Sequence, residues 1–343
     1  MYGNFEICDM PLSLKSNRTR VERFLADNGL RLEDVDYYAA VTDDDGNIIV
    51  GGGLQGNVIK CIAVSEAARE TGLSNKLISR LIGMATQQGA DTVKVFTKPE
   101  NSAIFQSMGF RILAQAPFAI LLENGVKGIS TYTSYLRSMR GDSPDGATAI
   151  VMNANPFTLG HRYLVEQAAA PASTLYVIAV REDRSTFSYS ERLAMIQAGC
   201  KGLDNVVVVE GSDYAISELT FPTYFLKQVT DATDTHITLD LDLFARHIAP
   251  ALGVTTRVVG SEPIDALTAR YNELMQELLP SHGIAVKTVD RLMQDGQPVS
   301  ASRVRQALAD GSLSQAAALV PATTLPYLIA LVLIIAVPQK HEE

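Results

Sequence analysis

The stretch that separates a predicted strand from a predicted helix is Asn153-Ala154-Asn155-Pro156-Phe157-Thr158-Leu159-Gly160-His161. The apolar run 149–152 before it is typical of a buried strand, and residues 159–170 have the pattern of an amphipathic helix. Thr158, Gly160 and His161 therefore fall in the first helical turn, where unpaired N–H groups and the helix dipole favour an anion. Gly160 would let a phosphate approach the backbone, and Thr158 and His161 can donate hydrogen bonds to it. We therefore expect a nucleotide phosphate site at this turn.

A strand, a T-x-G-H turn and a helix resemble the signature of the nucleotidyltransferase superfamily, whose members catalyse attack on the α-phosphate of a nucleoside triphosphate. The resemblance implies that His161 and Thr158 are catalytic and bind the α-phosphoryl oxygens, and that Asn155 and Gly160 line the nucleotide site. The alternative for so short a motif is that Thr158 only caps the helix and that His161 is an ordinary helix histidine.

A second motif lies downstream, at Val299-Ser300-Ala301-Ser302-Arg303-Val304-Arg305, and precedes a helical pattern that runs to Gly311. It resembles the I-S-x-[ST]-x-[IV]-R element of the same superfamily, with Val299 in place of Ile. Two hydroxyls and a guanidinium at a helix start can hold phosphates, so we expect Ser300, Ser302 and Arg305 to bind the departing pyrophosphate with Mg²⁺, Arg305 as a catalytic residue. The alternative is a helix cap followed by a solvated basic turn. Two such motifs in the superfamily's order favour the nucleotidyltransferase interpretation.

Composition restricts the class of protein. The chain has 343 residues, of which 47% are hydrophobic, so it is long enough for two packed domains. A net charge of −9 without a basic stripe argues against nucleic acid as the main partner. The three cysteines, Cys8, Cys61 and Cys200, are too widely spaced to suggest a disulfide framework or a zinc site. Cys8 and Cys61 could be catalytic thiols, but their strand-like apolar surroundings favour burial in the core. No metal site built from protein ligands is expected.

Neither end of the chain predicts a membrane protein. Residues 1–10 include Glu6 and Asp9 and have no long apolar core, so no secretory signal is expected and a reducing cytoplasm is the simplest location. The apolar run 327–337 would span roughly 16 Å as a helix, about half of the ~30 Å hydrocarbon core. The run could form a core helix, an interfacial anchor or an altered tail. The first and third are favoured over the second, so residues 326–343 are interpreted as an atypical apolar tail and no membrane partner is expected.

Residues 1–124 have the pattern of a mixed sheet with few helices. Strands are predicted at 37–41, 48–54, 58–64, 93–97 and 112–122, with a helix at about 75–88. This layout resembles the GNAT acetyltransferase fold, and Asn101, Phe105, Gly109 and Phe110 match an N-x-x-x-x-F-x-x-x-G-F pattern typical of that family. The triplet at 51–53 is followed by no Gly-Lys-Ser/Thr, so a bulged strand explains it better than a phosphate loop.

The segment Arg69-Glu70-Thr71-Gly72-Leu73-Ser74 resembles the R-x-x-G-x-[GA] loop with which GNAT proteins cradle the pyrophosphate of coenzyme A on backbone N–H groups. Arg69 and Gly72 match the motif, whereas Ser74 stands where the family has Gly or Ala. The resemblance implies that Arg69 and Gly72 bind a coenzyme A-type ligand. The alternative is an ordinary helix cap with a solvated arginine. No acid or base stands out as an acetyl-transfer catalyst.

Residues 125–146 have a weak pattern and are interpreted as a linker, and residues 147–325 as a second domain. Its predicted strands alternate with helices, notably 190–199 and 267–279, and lie at 149–152, 175–180, 206–209, 237–241, 256–260 and 285–289. Such alternation predicts a doubly wound parallel sheet, in which ligands bind beyond the carboxyl ends of the strands. The chain is thus expected to be an α/β protein, a GNAT-like unit followed by a Rossmann-like nucleotidyltransferase domain.

Four longer segments are similar to signatures of the citrate lyase ligase family, and the resemblance extends from the GNAT-like unit to about Thr324. The segments are residues 152–166, Thr220-Phe221-Pro222-Thr223-Tyr224-Phe225-Leu226-Lys227, Leu239-Asp240-Leu241-Asp242-Leu243-Phe244 and Arg257-Val258-Val259-Gly260-Ser261-Glu262-Pro263. The tail after Leu325 departs from the family, for which a shorter and more polar ending is expected.

The resemblance implies a reaction with ATP and acetate. Ligases of this family acetylate the thiol of the dephospho-coenzyme A-like prosthetic group on the acyl carrier subunit of citrate lyase, releasing AMP and pyrophosphate and activating the lyase. It also implies that Gly260 and Glu262 lie near the nucleotide and that the GNAT-like unit captures the prosthetic arm. Arg184 is a candidate for a further basic contact, with a surface ion pair as the alternative.

Three other functions remain open from the sequence. An adenylyltransferase would join AMP to a coenzyme A precursor such as phosphopantetheine. A GNAT acetyltransferase would use acetyl-coenzyme A without ATP, with the second domain as a regulator. A non-catalytic module would bind a carrier protein without binding ATP.

Overall fold

A computed structural model describes residues 6–181, 185–214, 221–226 and 229–336. Arg184, Thr220, Lys227 and the last residues of the apolar tail lie outside the described residues. The chain divides into two compact units, of which the first comprises Met1–Tyr132 and Ile216–Arg246 and the second Thr133–Ala215 and His247–Glu343.

Both units contain strands and α-helices. The described strands are β1 (Ile7–Asp9), β2 (Tyr37–Thr42), β3 (Ile48–Gln55), β4 (Val58–Val64), β5 (Thr92–Thr97), β6 (Arg111–Gln115), β7 (Ile120–Gly125), β8 (Ala147–Met152), β9 (Leu175–Ala179), β10 (Val206–Glu210), β11 (Val254–Gly260), β12 (Ala285–Val289), β13 (Met293–Gln294) and β14 (Gln297–Pro298). The described α-helices are α1 (Lys15–Asp27), α2 (Leu73–Gln87), α3 (Ser102–Ser107), α4 (Ile129–Arg140), α5 (Leu159–Ala169), α6 (Tyr189–Gly199), α7 (Val229–Leu243), α8 (Ala249–Leu252), α9 (Ala266–Leu278), α10 (Ala301–Ala309), α11 (Leu313–Ala317) and α12 (Leu325–Ala336).

The first unit is built on a mixed sheet with the strand order β1-β2-β3-β4-β5-β7-β6. Its strands pair antiparallel except for β4 and β5, which are parallel and joined through α2. The pairing of β3 with β4 shifts register between Gly51 and Gly53, which confirms the predicted bulge. The 112–122 segment forms two antiparallel strands, β6 and β7, where one stretch was expected. The mixed sheet expected for a GNAT-like unit is confirmed.

The first unit also contains a segment from the second half of the sequence. Residues 237–241 were predicted as a strand, but they lie in helix α7, so that prediction was wrong. The alternating pattern around Ile237, Leu239 and Leu241 suggested a strand, yet all three side chains are buried in a helix that is covered on several sides. Asp242 on the same helix accepts a hydrogen bond from the Gln115 backbone N–H at 2.8 Å and so ties the helix to β6.

The second unit contains a five-stranded sheet with the order β10-β9-β8-β11-β12. All of its pairings are parallel, which confirms the predicted parallel sheet. The strands are connected by helices, and the chain reverses its direction of winding beside β8. Because parallel strands end at the same edge, residues that follow β8, β9, β11 and β12 collect there. The predicted turn at 153–161 follows β8, so the fold places it at this edge.

Two further expectations differ from the structure. Residues 129–140 of the expected linker form helix α4, although the domain bounds inferred from the sequence remain a prediction. Cys8 is exposed on β1, so the prediction that it is buried was wrong, whereas Cys61 and Cys200 are buried. Strand β1 is at the edge of the sheet, where a neighbouring strand and its side chains lie on one side only. Within the described part of the chain, no helix is both long and apolar enough to span a bilayer.

Candidate active site

The turn after β8 leads directly into helix α5. Thr158 is the N-cap, and its Oγ1 accepts a hydrogen bond from the His161 backbone N–H at 3.3 Å. The His161 side chain returns the contact, because its Nδ1 lies 3.0 Å from the Thr158 backbone N and 2.9 Å from Thr158 Oγ1. This reciprocal arrangement is a capping box with a histidine in the position that Glu or Gln usually takes. The capping role offered as an alternative for Thr158 is therefore present in the structure.

The contacts of His161 determine where its proton lies. A backbone N–H can only donate, so Nδ1 accepts from Thr158 and the proton of the neutral ring is on Nε2. Although part of the side chain is exposed, desolvation, followed by the charge of Arg291, lowers the pKa of His161 from 6.5 to about 4. At neutral pH the ring is therefore uncharged and offers one N–H donor, at Nε2.

Gly160 brings the two sequence motifs into contact. A Cβ atom at this position would lie 2.6 Å from the carbonyl oxygen of Val299, which is closer than real side chains approach. The predicted reason for the glycine was access for a phosphate; the structure adds that the backbone of the second motif occupies the space beside it. The sequence pattern gave no sign of this packing, because 139 residues separate Gly160 and Val299.

The second motif forms the start of helix α10. Ser300 is the N-cap, and its Oγ accepts a hydrogen bond from the Arg303 backbone N–H at 3.2 Å. Arg305 donates from Nη2 to Ser302 Oγ at 3.0 Å and from Nη1 to the Asn155 carbonyl oxygen at 2.5 Å. Its half-buried guanidinium has a pKa lowered by desolvation. Asn155, Ser302 and Arg305, predicted from separate motifs, are thus neighbours.

A further cation lies at the ends of β11 and β12. Arg291 follows β12, donates from Nε to the Ser261 carbonyl oxygen at 2.7 Å and pairs with the Glu262 carboxylate. Glu262 Oε1 also accepts the backbone N–H groups of Ile264 and Asp265, each at 3.0 Å. Glu262 therefore fixes the position of Arg291, whose positive charge contributes to the lowered pKa of His161.

Sequence reasoning missed Arg291. The signal was available, since it is a basic residue shortly after the last predicted strand of a parallel sheet, where ligand-binding residues collect. Gly260, the last residue of β11, lies at the same edge, and its carbonyl oxygen accepts a hydrogen bond from Asn272 Nδ2 at 3.0 Å. A Cβ atom at Gly260 would have nothing within 4 Å, so the packing of the protein does not itself require a glycine at this position. The roles of Gly260 and Glu262 in nucleotide binding stay predictions.

In the first unit, Arg69 and Gly72 lie immediately before helix α2. Gly72 adopts the left-handed conformation with φ +77°, which favours glycine, and is the residue before the first turn of the helix. Arg69 is exposed, and nothing within 4 Å fills the space at Gly72. The Leu73 backbone N–H donates to Thr71 Oγ1 at 3.4 Å, so the role predicted for Arg69 and Gly72 in binding a coenzyme A-type ligand stays a prediction.

The donor set offers phosphates a site but offers a metal few ligands. Among the described residues, no group of three His, Cys, Asp or Glu side chains is arranged to hold a metal ion. Burial raises the pKa of the Cys61 and Cys200 thiols to about 11, so neither is a ready nucleophile. A magnesium ion that accompanies a triphosphate is commonly held by phosphate oxygens and water, which the residues present would permit.

Comparison with known proteins shows which family the chain belongs to. The citrate lyase ligase C-terminal domain family matches residues 147–328, and the acetyltransferase (GNAT) domain family matches residues 18–126. The citrate (pro-3S)-lyase ligase of Klebsiella pneumoniae is 42% identical over 322 residues, which cover 92% of this chain and 94% of that protein. The protein of the same name from Haemophilus influenzae is 42% identical over 315 residues, covering 90% and 94% respectively. That from Escherichia coli is 38% identical over 335 residues, covering 96% and 95%. The chain belongs to the citrate lyase ligase family.

Proposed function

We propose that the protein is an ATP-dependent, AMP-forming ligase that acetylates a thiol by way of an acetyl-adenylate. The acceptor is the dephospho-coenzyme A-like prosthetic group on the acyl carrier subunit of citrate lyase, and acetylation activates the lyase. Membership of the family supports this assignment. The observation that carries it is the contact between Arg305 and Asn155, because it joins two helix starts of the type that bind phosphates.

The first half-reaction would join acetate to AMP. A carboxylate oxygen of acetate attacks the α-phosphorus, the new O–P bond forms, and the bond to the β-phosphate oxygen breaks with its electron pair leaving on pyrophosphate. Charge grows on the α-phosphoryl oxygens as this occurs. His161 would donate its Nε2–H to one of them, and Thr158 would hold the ring in the required tautomer. A neutral donor needs no change of protonation during the step.

The leaving group would be held by the start of helix α10. Ser300, Ser302 and Arg305 present hydroxyls, first-turn N–H groups and a planar guanidinium, which suit the β- and γ-phosphates. Arg291 would add positive charge from the β12 side, and Gly260 and Glu262 would border the nucleotide. Magnesium, when bound with ATP, would neutralise part of the phosphate charge.

The second half-reaction would pass the acetyl group to the carrier. The thiol attacks the carbonyl carbon of the adenylate, a C–S bond forms, the C–O bond to phosphate breaks, and AMP leaves while the thiol proton passes to solvent. The first unit would bind the pyrophosphate of the prosthetic arm at Arg69 and the N–H groups that follow Gly72. The reaction is proposed to take place in the cytoplasm, with no nucleic acid or membrane as a partner.

The test is to incubate the purified protein with ATP, acetate and the deacetylated carrier subunit, and to measure AMP and the mass of the carrier. The proposal predicts one AMP released for each acetyl group gained by the carrier. An adenylylated small product would instead indicate an adenylyltransferase of a coenzyme A precursor. Acetylation from acetyl-coenzyme A without ATP would indicate a GNAT acetyltransferase, and failure to bind ATP would indicate a non-catalytic module.

A further inference from the structure

Helix α6 has a charged residue on its buried face. The buried residues of this helix are Arg192, Met195, Ile196 and Gly199, which follow the i, i+3, i+4, i+7 spacing of a core-facing stripe. Arg192 is fully buried at 0% exposure. Buried charges are retained only where they are well bonded, so the contacts of Arg192 indicate what it does.

Arg192 bonds to the backbone that frames the candidate site. Its Nη1 donates to the carbonyl oxygens of Asn153 and Val180, each at 2.9 Å, and to Asn153 Oδ1 at 2.5 Å. Its Nε donates to the Phe187 carbonyl oxygen at 3.2 Å. Asn153 follows β8 and Val180 follows β9, so one guanidinium joins the carboxyl ends of two neighbouring strands. It thereby fixes the backbone at the point where the turn leaves the sheet.

The loop held by Arg192 makes a second contact with the turn. The Phe187 backbone N–H donates to Asn155 Oδ1 at 3.1 Å, and the carbonyl oxygen of Asn155 is the acceptor for Arg305. A chain of hydrogen bonds therefore runs from Arg192 through Phe187 and Asn155 to the start of helix α10. A shift of the guanidinium would be transmitted to both helix starts.

The other end of the buried stripe acts on His161 through an aromatic ring. A Cβ atom at Gly199 would lie 2.3 Å from a ring carbon of Phe157, and Phe157 is fully buried at 0% exposure. The Phe157 ring stacks on the His161 imidazole with centroids 5.6 Å apart and planes inclined by 26°. Gly199 therefore leaves the space that lets Phe157 lie flat against the imidazole.

We propose that helix α6 is the positioning element of the candidate site, in which Arg192 fixes the backbone of the turn and Gly199 admits the ring that orients His161. Neither residue would touch a substrate. The kinetic part of this proposal rests on the proposed function, because it needs a turnover to measure. Displacement of a catalytic group by about 1 Å can lower a rate by on the order of a hundredfold.

The test uses Gly199→Ala and Arg192→Lys, each with a matched control. Gly83→Ala also changes a helical glycine to alanine, but at Gly83 nothing lies within 4 Å. Arg140→Lys also alters an arginine that donates to a backbone carbonyl, that of Ser143 at 2.8 Å, just before the amino end of β8. For each protein we would measure thermal unfolding, the kcat and the KM for ATP in ATP–pyrophosphate exchange, and the pKa and tautomer of His161 by NMR.

Both test variants are expected to fold, with thermal unfolding transitions as cooperative as the one measured for the wild type in the same experiment. Their kcat should fall at least tenfold, with the KM for ATP changed less than threefold, since an orienting role acts on the transition state more than on binding. In Gly199→Ala the pKa of His161 should rise from about 4 towards 6.5, because the displaced ring no longer shields the imidazole. The two controls should keep the kcat and the His161 signals of the wild type.

Folded Gly199→Ala and Arg192→Lys proteins with wild-type kcat and unchanged His161 signals would overturn the proposal. If Gly199→Ala does not fold, Phe157→Leu replaces it, because this change removes the stacked ring without adding volume; unchanged His161 signals there would also overturn the proposal. If Arg192→Lys does not fold, Asn153→Ala replaces it, because it removes the side-chain oxygen that accepts from Arg192 Nη1; a wild-type kcat there would overturn the role of Arg192. A wild type without acetate-dependent exchange would refute the proposed function alone. The NMR comparison would still decide whether α6 orients His161.

Discussion

Arg305 donates a hydrogen bond from Nη1 to the Asn155 carbonyl oxygen at 2.5 Å, across 150 residues of sequence. The same guanidinium bonds Ser302, so one side chain connects the start of helix α10 with the turn that leads into α5. Because helix starts of this type can bind anions, we propose that this contact joins two distant motifs into one phosphate-binding surface. Both motifs were recognised in the sequence, but only the structure shows that they are in contact.

Arg305→Lys should weaken this surface. Arg305 uses two separate nitrogens for Asn155 and Ser302, whereas lysine has all of its donors on one nitrogen and no planar fork to face a phosphate. We expect the kcat/KM for ATP in exchange to fall by about tenfold to a hundredfold, equivalent to ~1.4–3 kcal/mol. Arg303→Lys is the control, because Arg303 on the same helix donates to the Pro298 carbonyl oxygen at 3.0 Å. Equal kinetics for the two variants would contradict the role given to Arg305.

Gly160→Ala should separate the two helix starts. The added methyl group would meet the Val299 carbonyl oxygen, a backbone atom that cannot rotate away. We expect a loss of ~1–3 kcal/mol in the free energy of unfolding, which is typical of overpacking, and a fall in exchange of at least tenfold, measured on the folded fraction. A variant with wild-type stability and activity would show that the contact between Gly160 and Val299 has no mechanical importance.

The stability of the protein should fall in mild acid because of His161. Its pKa is about 4 in the folded protein against 6.5 in an unperturbed histidine. Between these values the unfolded chain binds a proton that the folded protein does not, so stability is complete above pH 6.5 and is lost as the pH falls towards 4. His161→Asn removes this titration.

The measurement for this prediction is urea unfolding of wild type and His161→Asn at several pH values from 7 to 4.5. The free energy of unfolding of the wild type should decline more steeply than that of the variant, by up to ~1 kcal/mol per pH unit. If the free energies of unfolding of wild type and His161→Asn depended on pH in the same way, the pKa of His161 would not be lowered in the folded protein. This result would contradict the claim that His161 is a neutral Nε2–H donor.

Arg69→Glu should affect the carrier but not the adenylate. Reversing the charge before helix α2 should repel the pyrophosphate of the prosthetic arm and raise the KM for the carrier subunit about tenfold or more. ATP–pyrophosphate exchange should be unchanged, because it does not involve the arm. Arg18→Glu is the control, since Arg18 is a surface arginine of the same unit that pairs with Glu22 at 3.6 Å. An unchanged KM for the carrier in Arg69→Glu would remove the loop from arm binding.

The regular parts of the fold were predictable because their hydrophobic patterns are local. The strands of the parallel sheet and the helices after them follow apolar runs and alternations that need no knowledge of neighbours. The strand predicted around Ile237 was wrong because the prediction used only this local pattern. A helix that is buried on several sides has no amphipathic period by which the sequence could reveal it. The placement of this helix with the first unit could not be inferred from its position in the chain.

For the candidate site, the sequence indicated the residues with recognisable motifs. His161 and Arg305 each belong to a short motif at a helix start, and a helix start can bind an anion, so both could be predicted from the sequence. Arg291 and Arg192 were missed because their importance comes from what surrounds them: Arg291 from its pairing with Glu262, and Arg192 from backbone carbonyls of three segments. A charged residue within an otherwise apolar helical stripe was the available signal for Arg192.

The central claim is that this surface activates a carboxylate with ATP, and ATP–pyrophosphate exchange with and without acetate tests it most directly. The account predicts rapid exchange that requires acetate, and a fall of on the order of a hundredfold in His161→Ala, as expected from losing one preorganised donor worth ~3 kcal/mol. Exchange that does not depend on acetate, or that survives at near wild-type rate in His161→Ala, would contradict it.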